Sequence, residues 1–441
     1  MHSFMSRYLG SRYTHFLAML LVAQSLLSPL VAHALPAFAR QTGQNCVSCH
    51  AGGQFPELTP YGRMFKLTGY TIGTRTVPLS VMGVASFTKS SNPTSDAAFA
   101  KDAVALFQTG SVFLAGKVTD NVGLFAQATY NNYGGDDGRT GRWGADNMDV
   151  RYADRFIDTT KDIIVGLSLN NNPSLADPWN TAPAWMQYVP TGFGVTGPDA
   201  SPIISQLGQQ AAGIGAYAFW NKTLYAELSG YRTADGTFKF LSAGTPASGL
   251  DPKLKSMNPY VRLALSHEWG PHNAMVGVLA MNADTYPDPL NSTGPTTRYR
   301  DRGIDAQYQY ILDPHTVTAQ ASYIRETINN GDVTGIAANA SNTLNQLKLK
   351  ASYIYRAKYG ASLSYFSTTG SSDTILYPDI ATNPDTRGWI PEVFWTPVQY
   401  VRVGAQYYAF NRFHGASSNY DGAGRNPKDN NTFFFYVWGA Y

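Results

Sequence analysis

The stretch Thr316-Val317-Thr318-Ala319-Gln320-Ala321-Ser322-Tyr323 decides the fold. Val317, Ala319, Ala321 and Tyr323 share one face, and Thr316, Thr318, Gln320 and Ser322 share the other. That period of two is the mark of a β-strand with one wet and one apolar face. Leu347, Leu349, Ala351, Tyr353 and Tyr355 alternate in the same way with Gln346, Lys348, Lys350, Ser352 and Arg356. Ile304, Ala306, Tyr308 and Tyr310 do so against Asp305, Gln307 and Gln309. Two further segments repeat the theme, Ile163-Val165-Leu167-Leu169 and Val401-Val403-Ala405-Tyr407.

From Leu79 onward roughly sixteen such strands follow one another, an even number in the range of bacterial outer-membrane barrels. They are expected near 79–88, 107–118, 121–132, 147–156, 162–170, 213–221, 223–232 and 258–269. The second half is expected near 273–284, 302–312, 315–326, 344–356, 358–368, 388–396, 399–411 and 431–441. Asn, Asp, Gly and Pro clusters separate them, and tyrosines gather near segment ends as an interfacial girdle would. The last segment, Phe433 to Tyr441, ends on an aromatic, as a closing strand does. A soluble sandwich or propeller gives no reason for such wet alternate faces. The expected fold class is therefore all-β, a transmembrane outer-membrane barrel of about sixteen antiparallel strands.

Composition agrees. Charged residues make up only 14% of the 441 residues, the net charge is +3, and Lys and Arg are scattered, which argues against nucleic acid. Residues 1–34 read as a secretory signal peptide: Arg7 and Arg12, an apolar stretch from Phe16 to Val31, then Ala32-His33-Ala34 as cleavage site. No later apolar run is long enough for a spanning helix, so a membrane location requires a barrel.

Between leader and barrel lies Cys46-Val47-Ser48-Cys49-His50, and the chain has no other cysteine. C-x-x-C-H is the c-type haem attachment motif: two thiols bind the haem covalently and the His ligates its iron. A thioredoxin-like pair or half a zinc site leaves the His unexplained, and zinc would need further ligands. The expected cofactor is one haem c on Cys46 and Cys49, with His50 as proximal iron ligand. Met64 is a candidate sixth ligand or an apolar packing residue, with Met82 the other nearby methionine; a luminal histidine, from His267, His272, His315 and His414, or an open site is the alternative. Arg40, Arg63 and Lys66 are candidate propionate contacts or ordinary charges. The segment 35–76 is too short to bury a haem alone and needs a partner surface, which the barrel, 77–441, can supply.

The long interval 171–212, with Asp177-Pro178-Trp179-Asn180-Thr181 and Pro183-Ala184-Trp185, is expected to fold into the lumen; 233–256 and 369–387 read as plain surface loops. Arg151, Arg155, Arg262, Lys348, Lys350, Arg356 and Arg402 are expected to face the lumen.

Leu35-Pro36-Ala37-Phe38-Ala39-Arg40-Gln41-Thr42-Gly43, the Cys46–His50 motif, Phe55-Pro56-Glu57-Leu58-Thr59-Pro60-Tyr61-Gly62-Arg63 and Phe65-Lys66-Leu67-Thr68-Gly69-Tyr70 together resemble one family. It is the fused monohaem cytochrome–porins of the outer membrane, which contains the Fe(II) oxidases of iron-oxidising bacteria. The likeness is dense over the N-terminal block and architectural over the rest. It implies a haem on a small N-terminal c-type cytochrome plug inside a porin, extracellular Fe(II) as electron donor, and a periplasmic cytochrome or copper protein as acceptor. It implies an Fe(II) oxidase acting through electron transfer alone, with no catalytic acid or base. A different extracellular donor or acceptor, or a transport porin with a structural or regulatory haem, are the alternatives, because fold analogy does not supply a substrate.

Overall fold

The computed structural model describes residues 36–53, 55–93, 102–132, 141–181, 189–190, 200–243, 253–331, 335–377 and 382–441. The expected leader, its cleavage site and Pro183-Ala184-Trp185 lie outside them. Short helices come first: α1 (Pro36–Thr42), α2 (Cys46–Cys49), a 3-10 turn (Ala51–Gly53) and α3 (Pro60–Leu67). The strands then run β1 (Leu79–Ser90), β2 (Ala105–Lys117), β3 (Val122–Asn131), β4 (Arg142–Ile157), β5 (Asp162–Asn170), β6 (Ala211–Trp220) and β7 (Leu224–Thr233). A two-residue β8 (Lys253–Leu254) precedes β9 (Asn258–Trp269), β10 (His272–Tyr286), β11 (Thr297–Leu312) and β12 (His315–Asn329). The last five are β13 (Ser341–Tyr355), β14 (Tyr359–Gly370), β15 (Thr386–Val398), β16 (Val401–Arg412) and β17 (Thr432–Ala440).

The long strands pair antiparallel in chain order, and β17 returns to β1, with Met82 opposite Ala440 and Ser90 opposite Thr432. The sheet is thus a closed barrel of sixteen long strands, and β8 only extends one rim beside Thr285 and Tyr286 of β10. All sixteen expected segments fall on strands. Two begin five residues earlier than expected, β4 at Arg142 and β11 at Thr297. Their added turns of strand carry Arg142, Asp146, Arg298 and Arg300, so the apolar alternation that marks a strand in sequence is lost there although the backbone pairing continues.

The barrel is apolar outside and polar inside. Along β9, Asn258, Tyr260, Arg262, Ala264 and Ser266 are buried, while Val261, Leu263 and Leu265 are exposed. Leu167, Val278, Ile304, Leu363 and Val393 extend the exposed apolar belt around the wall. Aromatics rim it at both ends, Trp220, Trp269, Tyr359 and Trp395 at one and Trp143 and Trp389 at the other. This inversion of a soluble core is what a hydrocarbon surround requires.

One end of the barrel carries tight turns and the other long connections, so the two rims differ. Asn221 and Lys222 (φ 48° and 55°) close β6–β7, and Arg356 and Ala357 (both φ 52°) close β13–β14. Consecutive left-handed residues make the turn that matches strand twist. Arg356 therefore belongs to a rim turn and not to the lumen wall, because the strand ends one residue before it. Arg155 also sits at this rim, exposed and paired with Asp162 (Nη2–Oδ2 2.7 Å). Arg151, Arg262, Lys350 and Arg402 are buried inside as expected, and Lys348 shares their inward register.

The opposite rim holds more structure than plain loops. Within 233–256 a 3-10 turn (Gly236–Leu241) buries Leu241 against Ala212 and Ala234. Within 369–387 the Asp373 carboxylate is buried and accepts hydrogen bonds from the backbone of Ala338, Asn339, Ile375 and Leu376, each at 2.9–3.0 Å. In the long connection after β5, Trp179 is buried, and Asp177 pairs with Arg262 (3.3 Å), which also grips Asp305 (2.6 Å). The Asp177–Thr181 stretch thus runs inside the wall, fixed to β9 and β11.

Candidate functional site

The N-terminal segment lies against inward-facing side chains of the wall. Asn45 precedes α2, whose four residues are Cys46-Val47-Ser48-Cys49. Thr59 caps α3 by accepting from the Gly62 amide (3.1 Å), and its hydroxyl donates to Ser48 O (2.5 Å). Its amide also donates to Cys49 O (2.9 Å), while His50 bridges to Leu58. One threonine therefore ties the start of α3 to the end of the Cys-containing turn. Gly62 makes that contact possible, since a Cβ there would stand 2.1 Å from Cys49 O.

The wall holds this assembly at several points. The Cys46 amide donates to Gln399 Oε1 (3.3 Å), and Arg402 donates to Gly53 O (2.9 Å). Glu57 pairs with Lys350 (2.7 Å). Tyr70 donates to Asp149 (2.6 Å), which also accepts from Arg151 (2.7 Å), and Tyr217 donates to Leu67 O (2.8 Å). Gln399 and Arg402 flank the tight turn between β15 and β16, so the motif sits toward the tight-turn rim.

Cys49 and His50 line a cavity of about 220 Å³ whose other walls include Phe38, Phe65, Phe113, Phe125, Met82 and Trp438. Cys46 lies just behind, packed on Ala39, itself part of the lining. His50 Nδ1 is enclosed without a hydrogen-bond partner, and the ring packs on Phe55 with centroids 4.2 Å apart. Burial, aided by the Arg402 charge, brings the imidazole down to about 3, so it is neutral and able to coordinate iron. Burial raises the thiols to about 12 at Cys46 and about 11 at Cys49. The two form no disulfide. Among the described residues no three His, Cys, Asp or Glu side chains gather as a metal site. Two thiols and one imidazole beside an apolar lining are the groups that could hold a flat apolar cofactor here.

The other expected site residues separate. Lys66 lines the cavity, and its ammonium donates to Leu175 O and to Asp177 O (3.1 Å). Arg63 is a buried pin to the wall, donating to Gln307 and Gln309 (both 3.2 Å) and Asn273 (2.9 Å). Arg40 donates to the backbone of Val77 and Leu79. Met64 packs with Leu67, Ile164 and Trp179, and does not line the cavity. His267, His272, His315 and His414 do not line it either; the first three stack or pair at the tight-turn rim and His414 lies on Phe413. Trp438 and Phe113, far apart in the chain, close one pocket, and no local spacing encodes that approach.

A second, larger cavity of about 690 Å³ adjoins the first, sharing Met82, Gln127, Asn147 and Asn180 with it. Its lining is divided about evenly between polar and apolar groups, the polar ones including Ser111, Thr129, Asn172 and Gln209, and it reaches Arg142 and Trp143 at the long-connection rim. A wet vestibule thus leads from that rim to the apolar pocket.

No family model matches the chain, and no curated protein does. Solved porins are similar in structure. OmpF of Salmonella typhi, in a complex with daunomycin, is 13% identical over 82% of this chain and 97% of its own, with a TM-score of 0.47. The outer-membrane channel DcaP of Acinetobacter baumannii is 12% identical, covering 82% and 96%, also at 0.47. An anion-selective porin from Comamonas acidovorans is 10% identical, covering 82% and 99%, at 0.44.

Proposed function

We propose that this chain is an outer-membrane electron conduit that carries one c-type haem and takes electrons from extracellular Fe(II). One observation carries the reading: Cys49 and His50 line an apolar pocket inside a closed barrel, at the foot of a wet vestibule. The exposed apolar belt suits outer-membrane lipid, and barrels of this kind keep tight turns in the periplasm and long loops outside. The vestibule then opens to the exterior and the motif lies near the periplasmic rim.

When bound, the haem supplies a one-electron centre whose potential follows from its axial ligands and burial. One electron leaves Fe(II), which becomes Fe(III), and ends on a one-electron periplasmic carrier, a cytochrome or a copper protein. The chain's own residues do the positioning. Cys46 and Cys49 would tether the group, and His50, kept neutral by its surroundings, would ligate the iron. Phe38, Phe65, Phe113 and Phe125 keep water off the pocket. Gln127, Asn147 and Asn180 bring polar groups to the shared boundary where a hydrated donor can approach. No bond is made or broken in the donor, so no catalytic acid or base is needed.

The experiment is anaerobic addition of Fe(II) to the purified, oxidised protein while its visible spectrum is recorded. Conversion of ferric to ferrous haem bands is expected; a haem that stays ferric removes Fe(II) as donor. The size of the vestibule also favours solute passage, and liposome swelling distinguishes a channel from a blocked lumen.

A further inference from the structure

We infer that Met82 supplies the second axial ligand to the haem iron, with His50 the first; the inference rests on the haem reading above. Met82 and His50 line the same pocket and belong to one packed group, since Phe55 touches His50 and joins Met82, Trp438 and Val84.

The pocket offers few other ligands. Lys66 is tied to two carbonyls, the Tyr70 hydroxyl donates to Asp149, and Cys49 belongs to the attachment motif. The amides of Gln127, Asn147 and Asn180 are poor ligands for haem iron beside a thioether, which is a recognised partner of His in cytochromes c. Met64, on α3, packs into a different cluster with Leu67 and Ile164.

The inner face of β1 singles out the same residue. Its inward positions are Ser80, Met82, Val84, Ser86, Thr88 and Ser90, hydroxyls apart from Met82 and Val84, and of these two only Met82 lines the pocket with His50. Met82 packs there beside Phe55, Val84 and Trp438, and within that group it brings the one sulfur to the pocket lining. Met82 is also held between two strands, opposite Ala440 on β17 and Ser111 on β2, so its backbone cannot drift. A sulfur fixed by a wall strand, facing a histidine on the inserted segment, would make iron coordination depend on their docking. A Met/His pair raises the potential relative to two histidines, and the vestibule side of Met82 faces the donor's approach.

The test compares full-length wild type with Met82→Ala, Met82→Leu, Met82→His and Met64→Ala. Covalent haem is measured by haem staining of denatured chains, and ligation by ferric absorption and magnetic circular dichroism. Wild type and Met64→Ala should both be low-spin and show the near-infrared Met-to-iron charge-transfer band. Met82→Ala and the volume-conserving Met82→Leu should lose the band and become high-spin with haem content unchanged. Met82→His should be low-spin again with a lower potential. Persistence of the Met band in Met82→Leu overturns the assignment, as does its loss in Met64→Ala alone. Wild-type chains without covalent haem overturn the haem reading itself, which separates that failure from the failure of Met82.

Discussion

Glu57 and Lys350 form an ion pair of 2.7 Å between the N-terminal segment and the inner face of β13, with side chains 1% and 3% exposed. Such a pair stabilises little against an apolar substitute, but it penalises the loss of one partner heavily. It therefore acts as a registration device for the inserted segment. Lys350→Met leaves a buried carboxylate and should cost docking about 3–5 kcal/mol. Limited proteolysis checks this: cleavage between 36 and 76 should quicken in Lys350→Met and slow again in the Glu57→Gln, Lys350→Met double variant. Equal protection in all three chains would remove the pair from the docking account.

Gly62→Ala should loosen the Cys-containing turn. The added carbon meets Cys49 O, so α3 must retreat from α2, at a cost of about 1–3 kcal/mol for an overpacked contact. The expected outcome is less haem per chain, read by haem staining against total protein, with heat-modifiable mobility of the barrel unchanged.

Asp373 should make the long-connection rim acid-sensitive. Four backbone amides and Asn342 donate to its carboxylate, and against the upward push of burial these bonds hold its pKa well below the usual carboxylate range. A lowered folded value stabilises above the unfolded value of about 3.9 and is lost as pH falls through the folded value. Asp373→Asn should thus lower the unfolding midpoint at pH 7. The gap from wild type should narrow below about pH 4. A gap independent of pH would assign the effect to geometry and not to charge.

Leu167→Arg tests the orientation of the wall. Leu167 is exposed in the middle of β5, and a cation on a lipid face near the midplane costs about 2–4 kcal/mol. Folding yield into bilayers should fall, whereas Ser168→Thr on the inner face should fold as wild type.

The barrel was legible because period-two alternation survives wherever one face meets lipid and the other water. Legibility stopped where that contrast stops. Arg142–Asn147 and Thr297–Asp301 extend strands past the apolar belt, and Arg356 continues the polar rhythm one residue into a turn. The Cys46, Cys49 and His50 motif stands in the sequence because its spacing is local. The pocket around them was not, because it joins Phe38, Phe113 and Trp438, whose approach exists only once β17 closes on β1. Arg63 illustrates the same gap: a cation beside this motif reads as a propionate contact or an ordinary surface charge, but its partners Asn273, Gln307 and Gln309 lie on β10 and β11.

Electron passage through the wall is the central claim, and proteoliposomes measure it directly. With a ferric one-electron acceptor protein trapped inside and Fe(II) added outside, wild type should reduce the trapped acceptor. The Cys46→Ser, Cys49→Ser chain, folded in the same vesicles, should leave it oxidised. Equal reduction by both chains, or none by wild type, would contradict the account.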